Sequence, residues 1–393
     1  MAASSLVLSV LFASQMPPTE GPLVIRATQN SGNAQSVAIT SDGRYVAAGF
    51  GGPLQDRFPQ NPNGGGVFVW ERKTGKVVYA RGEFGDVIKI GFSRDGRYLA
   101  YSRVYTPGDS IEANNTMLVD LTTGAMVKAW GGSRVSFAFS PTEDLLVVSD
   151  SGTTVFDLNT LKARRNIKVR GAGAYAFSAD GKSVAALCYY WTNRKGTPTG
   201  LALFTPQSEK PHFVLSDDSI RSAMAVAVSS SGKQIVTGHI GGIAKIWSTE
   251  NPKTNKRLHI DTRLAVYPFF GDAGSTLVLA TQPANGRSWM YDRSTPAGFK
   301  FSARGRASHC DLYKFEFASL KQTAHWLFED AAFRTFYARF GKSSNHPEYN
   351  PTRFALSSDG RILVTGCNGG CTVDWMSGKQ LRTFDRSPPA DGQ

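Results

Sequence analysis

Short apolar runs recur along this chain, each ending in a polar turn and followed by a second apolar run. The clearest copies are SVAITSDGRYVAAG from Ser36, IKIGFSRDGRYLAYS from Ile88, AYAFSADGKSVAAL from Ala174, AVAVSSSGKQIVTG from Ala225 and RFALSSDGRILVTG from Arg353. Degenerate copies are FAFSPTEDLLVVS from Phe137 and YPFFGDAGSTLVLA from Tyr267. Asp-Gly and Ser-Gly supply the positive backbone φ that a two-residue hairpin turn needs. The flanks alternate apolar and polar over about six residues, as half-buried strands do. Each copy therefore predicts a β-hairpin, with turns near residues 42, 95, 143, 180, 231, 273 and 359. Successive gaps are 53, 48, 37, 51, 42 and 86, the last being twice 43, or one unit plus a long insertion.

A second pattern follows each hairpin. A strand closes on an aromatic or acidic residue, turns, and a further strand returns. Examples are VFVWERKTGKVVYA ending at Ala80, MLVDLTTGAMVKAW ending at Trp130, TVFDLNTLKARRNIKV ending at Val169 and TVDWMSGKQLRTF ending at Phe384. The unit is four antiparallel strands in roughly 45 residues. One such sheet cannot bury both faces. Radial stacking buries them, and closing the ring protects the innermost edges.

Over about residues 22–386 the chain resembles the WD-repeat family, or its looser bacterial relatives. The residues that carry the resemblance are the Asp-Gly turns and the strand-end pairs Trp70-Glu71, Val119-Asp120, Phe156-Asp157 and Trp247-Ser248. GHIGGIAKIW from Gly238 and GCNGGCTVDW from Gly366 match each other in register. The Gly-His that opens a full repeat of that family is absent, and His239 falls after a second strand. The fold expected is all-β, a propeller of four-stranded antiparallel blades in one domain, and as a ring the chain is expected to be a monomer. Seven blades are favoured, with an insertion at about 296–350. Eight result if that insertion forms a degenerate blade, because FEFASLKQ from Phe315 aligns with FDLNTLKA from Phe156. The stretch Ala324–Phe340 reads either as a helix or as a hairpin through Glu329-Asp330. The resemblance further suggests that residues 22–28 form a strand closing the ring against the last blade.

Composition changes the picture in three places. Residues 1–21 read as a leader: the first 19 carry no charge and include an apolar core from Leu6 to Ala13, without the basic residues that precede a signal core. Export and cytoplasmic residence both stay open, and residues 387–393 read as a tail. Cys367 and Cys371 flank Asn368-Gly369-Gly370, so they are either two free thiols or, in an oxidising compartment, a small disulfide across a hairpin. The net charge of +13 is uneven: between Leu161 and Lys195 eight basic residues, Arg164 and Arg165 among them, face the single acid Asp180. Such a field attracts acidic proteins, nucleic acid or anionic surfaces. It equally suits an outermost strand whose charges prevent edge-to-edge aggregation.

No catalytic constellation is visible. Gly341-Lys342-Ser343 and Gly181-Lys182-Ser183 lack the upstream glycine of a phosphate loop, at Phe336 and Ala176. None of the six histidines has a repeat-defined acid or nucleophile, and no set of four metal ligands assembles. No cofactor and no metal are expected. No stretch approaches the ~20 apolar residues of a membrane helix.

The irregular loops carry more. Residues 49–66, 104–115 and 189–200 each interrupt a unit between its second and third strands, so they leave from one face of a ring, where binding is usually built. Tyr189, Tyr190, Trp191, Arg194 and Lys195 combine aromatic surface with cationic donors, a mixture enriched in binding hot spots. The expected function is a non-catalytic scaffold gripping a protein partner with an acidic component through these loops with Arg164 and Arg165. The alternatives are a small-molecule or hydrolytic propeller using its central channel, and nucleic-acid binding through the basic rim.

Overall fold

The computed structural model describes residues 23–26, 34–50, 66–82, 86–104, 115–131, 136–149, 152–169, 172–188, 200–217, 220, 223–251, 255–260, 265–271, 274–282, 309–329, 354–356, 362–365, 371–374 and 380–383. These form seven sheets and no helix. After a first strand β1 (Leu23–Arg26), sheet 1 holds β2 (Ala34–Ile39), β3 (Tyr45–Phe50), β4 (Gly66–Glu71) and β5 (Val77–Gly82). Sheet 2 holds β6 (Asp86–Phe92), β7 (Tyr98–Val104), β8 (Asn115–Asp120) and β9 (Ala125–Gly131). Sheet 3 holds β10 (Phe137–Phe139), β11 (Leu145–Ser149), β12 (Thr153–Asp157) and β13 (Lys162–Ile167). Sheet 4 holds β14 (Ala172–Phe177), β15 (Val184–Cys188), β16 (Gly200–Phe204) and β17 (Phe213–Ser216). Sheet 5 holds β18 (Ala223–Val228), β19 (Gln234–His239), β20 (Ile243–Ser248) and β21 (Asn255–His259). Sheet 6 holds β22 (Ala265–Gly271), β23 (Thr276–Gln282), β24 (His309–Glu316) and β25 (Lys321–Glu329). Sheet 7 holds β26 (Phe354–Leu356), β27 (Ile362–Thr365), β28 (Cys371–Asp374) and β29 (Gln380–Thr383). Within each of these sets of four the strands are antiparallel and lie in chain order.

Neighbouring sheets pack face to face, with an apolar core between sheets 1 and 2, 2 and 3, 3 and 4, 4 and 5, and 5 and 6. A sixth core, built on Val46, Phe50, Trp70 and Val364, joins sheet 7 to sheet 1. The stack therefore runs 7-1-2-3-4-5-6. Its second strands are apolar on both faces. Leu145 and Val147 of β11 face sheet 4, while Leu146 and Val148 face sheet 2. This corrects the expectation of half-buried strands: β11 and β15 are buried at every position, because each sheet has a neighbour on both sides.

The repeated turn is also not a two-residue hairpin. Thr40 N–H donates to Tyr45 O (3.0 Å) and Gly43 N–H to Thr40 O (2.9 Å), so four residues connect the strands. Only Gly43 takes positive φ, at 69°. The Asp42 carboxylate instead accepts from the Thr40 hydroxyl (2.6 Å) and the Arg44 N–H (2.9 Å). Sheets 2 and 4 repeat this through Ser93 with Asp95 and Ser178 with Asp180.

Two boundary expectations change. β1 pairs in parallel with β25, Leu23 opposite Trp326, and so joins sheet 6 rather than the last sheet. The segment at 296–350 supplies β24 and β25, the third and fourth strands of sheet 6. FEFASLKQ is thus a third-to-fourth connection, and no further sheet forms among the described residues. Strand extends to Glu329, which removes the helix reading over 324–329.

Candidate functional site

The two ends of the stack differ. At one end the first-to-second turns bind one another: Ser41 Oγ donates to Arg94 O (2.7 Å), and Arg94 Nη2 meets Asp144 Oδ1 at 3.1 Å. The third-to-fourth connections dock onto the same turns, as Arg72 N–H to Arg44 O (2.8 Å), Leu121 N–H to Arg97 O (2.8 Å) and Leu158 N–H to Asp144 O (2.9 Å). At the opposite end the second strands finish and the third begin. There sheets 1, 2 and 4 carry their long connections, at 51–65, 105–114 and 189–199. Sheet 6 carries a fourth, at 283–308, of which only the part from 296 falls in the expected insertion.

Tyr189, Tyr190, Trp191, Arg194 and Lys195 lie outside the described residues, as do the leader, the tail and Cys367. Cys371 opens β28 opposite Thr365. In sheet 5 the matching positions, His239 and Ile243, are directly opposed across their turn.

Arg164 and Arg165 sit on β13, the outermost strand of its sheet. Val155 pairs with Arg165 and Phe156 with Ala163, leaving Arg164 as the extra residue of a β-bulge. Bulges re-aim a side chain and twist an edge away from strand addition. Both arginines have acids nearby. Arg164 Nη1 lies 3.7 Å from Glu143 Oε2, and Arg165 Nη1 lies 3.4 Å from Glu209 Oε1 in sheet 4. The basic window is therefore partly neutralised by residues outside it. A groove of about 410 Å³ between β13 and Glu209 is lined by Arg164, Arg165 and Glu209 with Ala163 and Asn166.

On the other side of β13 a groove of about 550 Å³ separates it from β9. Its floor is Trp130 set edge-on against Phe156, ring centres 5.0 Å apart. Thr154 Oγ1 donates to Asn166 Oδ1 (2.9 Å) along one wall. Lys128 and Lys162 stand at its rim, and no carboxylate lines it.

Two further side chains bear on the site, Lys89, which the sequence does not single out, and His239. Lys89 on β6, the first strand of sheet 2, is half-buried, with its ammonium 3.5 Å from Ser136 Oγ and 5.3 Å from the Phe137 ring centre. No carboxylate reaches it among the described residues, and burial pushes its pKa down to about 8. His239 is buried and belongs to a packing network. Trp247 Nε1 donates to Thr237 Oγ1 (2.8 Å), which is hydrogen-bonded to His239 Nε2 (2.8 Å). Burial, then the charges of Lys245 and Arg257, push His239 down to about 3 and hold it neutral. Such a histidine serves structure rather than proton transfer at neutral pH.

Among the described residues no group of three or more His, Cys, Asp or Glu could hold a metal, and no helix is long and apolar enough to cross a membrane. No family model matches the chain, and no curated protein does.

Proposed function

We propose that the seven sheets close into one WD-like ring and that the protein is a non-catalytic scaffold holding an acidic protein partner against its looped end. One observation carries this reading. Four sheets place their long second-to-third connection at the same end, while hydrogen-bonded turns stitch the other end into a rigid base. Variable loops on a fixed framework are suited to recognition. The connection at 189–199, with Tyr189, Tyr190, Trp191, Arg194 and Lys195, joins strands of sheet 4, beside the sheet that bears Arg164 and Arg165. Capture of partners by the full chain, compared with a Tyr190→Ala, Trp191→Ala, Arg194→Ala variant of unchanged thermal stability, tests it. The variant is expected to lose the partner. Equal recovery contradicts the reading.

A second reading is favoured by Lys89 alone. A cation without an acid on an innermost strand suits a small anion in the central channel. Phosphate or citrate stabilising the protein, but not a Lys89→Met variant, would support it.

A further inference from the structure

The third-to-fourth connections share a slot that requires positive φ. Glycine fills it at Gly75 (φ 76°) and Gly124 (φ 71°), whereas Leu161 (φ 54°) and Leu320 (φ 56°) are the only non-glycine residues in that region among the described residues. A branched side chain there is strained. Leu320 has a packing reason, since it lies against the core between sheets 5 and 6. Leu161 has none: it is 39 % exposed and belongs to no apolar cluster. What it does line is the groove between β9 and β13, together with Lys128, Trp130, Thr154, Lys162 and Asn166. Strain without a packing return is a pointer to use.

We propose that this groove docks an extended acidic segment of a protein partner, with one large apolar side chain of the segment against Leu161 and Trp130 and flanking carboxylates on Lys128 and Lys162. The charge pattern selects the occupant. Arg164 and Arg165 have Glu143 and Glu209, but Lys128 and Lys162 have no ion-pair partner among the described residues and no acid shares their groove. Exposed Leu161, beside the edge of the otherwise buried Trp130, lies between two ammonium groups that have no ion-pair partner among the described residues, an arrangement complementary to an acid–apolar–acid sequence. Thr154 and Asn166 offer polar atoms to its backbone. The bulge at Arg164 makes strand addition along β13 the wrong mode, so side chains carry the contact. The inference rests on the protein-binding reading but uses a surface separate from the connection at 189–199.

The test is selection of a displayed random decapeptide library against the full chain, followed by fluorescence anisotropy of the enriched peptides. Enrichment of Asp and Glu around a Leu, Phe or Trp is expected. Affinity should fall at least tenfold in Lys128→Glu/Lys162→Glu and also in Leu161→Gly, whose thermal stability should equal or exceed that of the natural chain. Peptides without acidic enrichment overturn the proposal, as does undiminished binding to both variants. Peptides lost only in the Tyr190→Ala/Trp191→Ala/Arg194→Ala variant also overturn it, while leaving the looped-end reading intact. A labelled single-stranded oligonucleotide that binds more tightly than any peptide, and is lost in the lysine variant, overturns it in favour of nucleic acid.

Discussion

Arg97 donates from Nε and Nη2 to Oδ2 of Asp120, at 3.1 and 2.8 Å. Arg97 is the basic residue after the Asp-Gly turn of sheet 2, and Asp120 is the acid that closes its third strand. Two signatures separated by 23 residues thus meet as one contact. Sheet 1 repeats the pairing more loosely, with Arg44 Nε and Glu71 Oε1 at 3.7 Å. Asp120 is buried and also accepts from the backbone N–H (2.9 Å) and hydroxyl (2.6 Å) of Thr122. Burial alone would raise its pKa, but these hydrogen bonds outweigh it and hold the carboxyl below its usual value.

Asp120→Ala is therefore expected to cost about 2 kcal/mol, the scale of hydrogen bonds to a charged group. Arg97→Ala should cost less, because Thr122 continues to satisfy the carboxylate. The folded pKa is depressed, so the contribution is present above the unfolded value near 4 and is lost as pH falls through the lower folded value. Urea unfolding between neutral pH and pH 3 should show a smaller loss in Asp120→Asn than in the natural chain. The remainder comes from Asp42, Asp157 and Asp180, whose carboxyls are also held below their usual value.

Gly238 tests how closely the sheets approach. A Cβ there would meet the backbone oxygen of Val266 in sheet 6 at 2.0 Å and Pro268 Cδ at 2.7 Å. Backbone cannot give way as a flexible side chain can. Gly238→Ala should destabilise by about 2 kcal/mol or more by forcing sheets 5 and 6 apart. Gly82→Ala, where a Cβ meets nothing within 4 Å, is the neutral control in the same thermal melt.

Leu161 should respond in the opposite sense to a normal apolar residue. Leu161→Gly is expected to be more stable than Leu161→Ala by about 1 kcal/mol, because both lose the side chain and only glycine relieves the left-handed backbone. Denaturant midpoints of the two variants decide it. Equal midpoints would show that the left-handed backbone at Leu161 is not strained.

Lys89 gives a pH signature. Its unfolded value is 10.5 and its folded value about 8. Between these limits the unfolded chain binds more protons, so stability should rise with pH across that window. The gain should reach up to about 2 kcal/mol once residual hydration of the half-buried amine is allowed for. Lys89→Met should shrink the rise, leaving the part due to Lys245, which burial also lowers, and be the more stable protein at pH 7.

The positions of the turns are legible in the sequence because local chemistry fixes them: Thr40, Asp42 and Gly43 satisfy one another within six residues, although in a four-residue connection and not a two-residue one. Periodicity misled where tertiary packing decides. The second strands carry apolar residues on both faces because sheets flank them twice, which no window along the chain reveals. β1 joins sheet 6 and not the expected last sheet, since a parallel edge pairing has no turn to specify it. At the site, counting charges from Leu161 to Lys195 captured Arg164 and Arg165 but missed Glu209, which arrives from the next sheet. Leu161 could have been found, because it stands in the slot that Gly75 and Gly124 occupy in the neighbouring units.

Ring closure is the claim on which the looped end depends, since sheets 6 and 7 are the two extremes of the stack. Spin labels at Ser275 in the sheet 6 turn and at Ser358 in the sheet 7 segment, read by double electron–electron resonance in a cysteine-free background, test it. The reference is the pair Ser231 and Ser275, on sheets 5 and 6 that pack together. A closed ring gives both pairs the same separation. A distance between 275 and 358 several times the reference would mean an open arc, and the shared binding face would not exist.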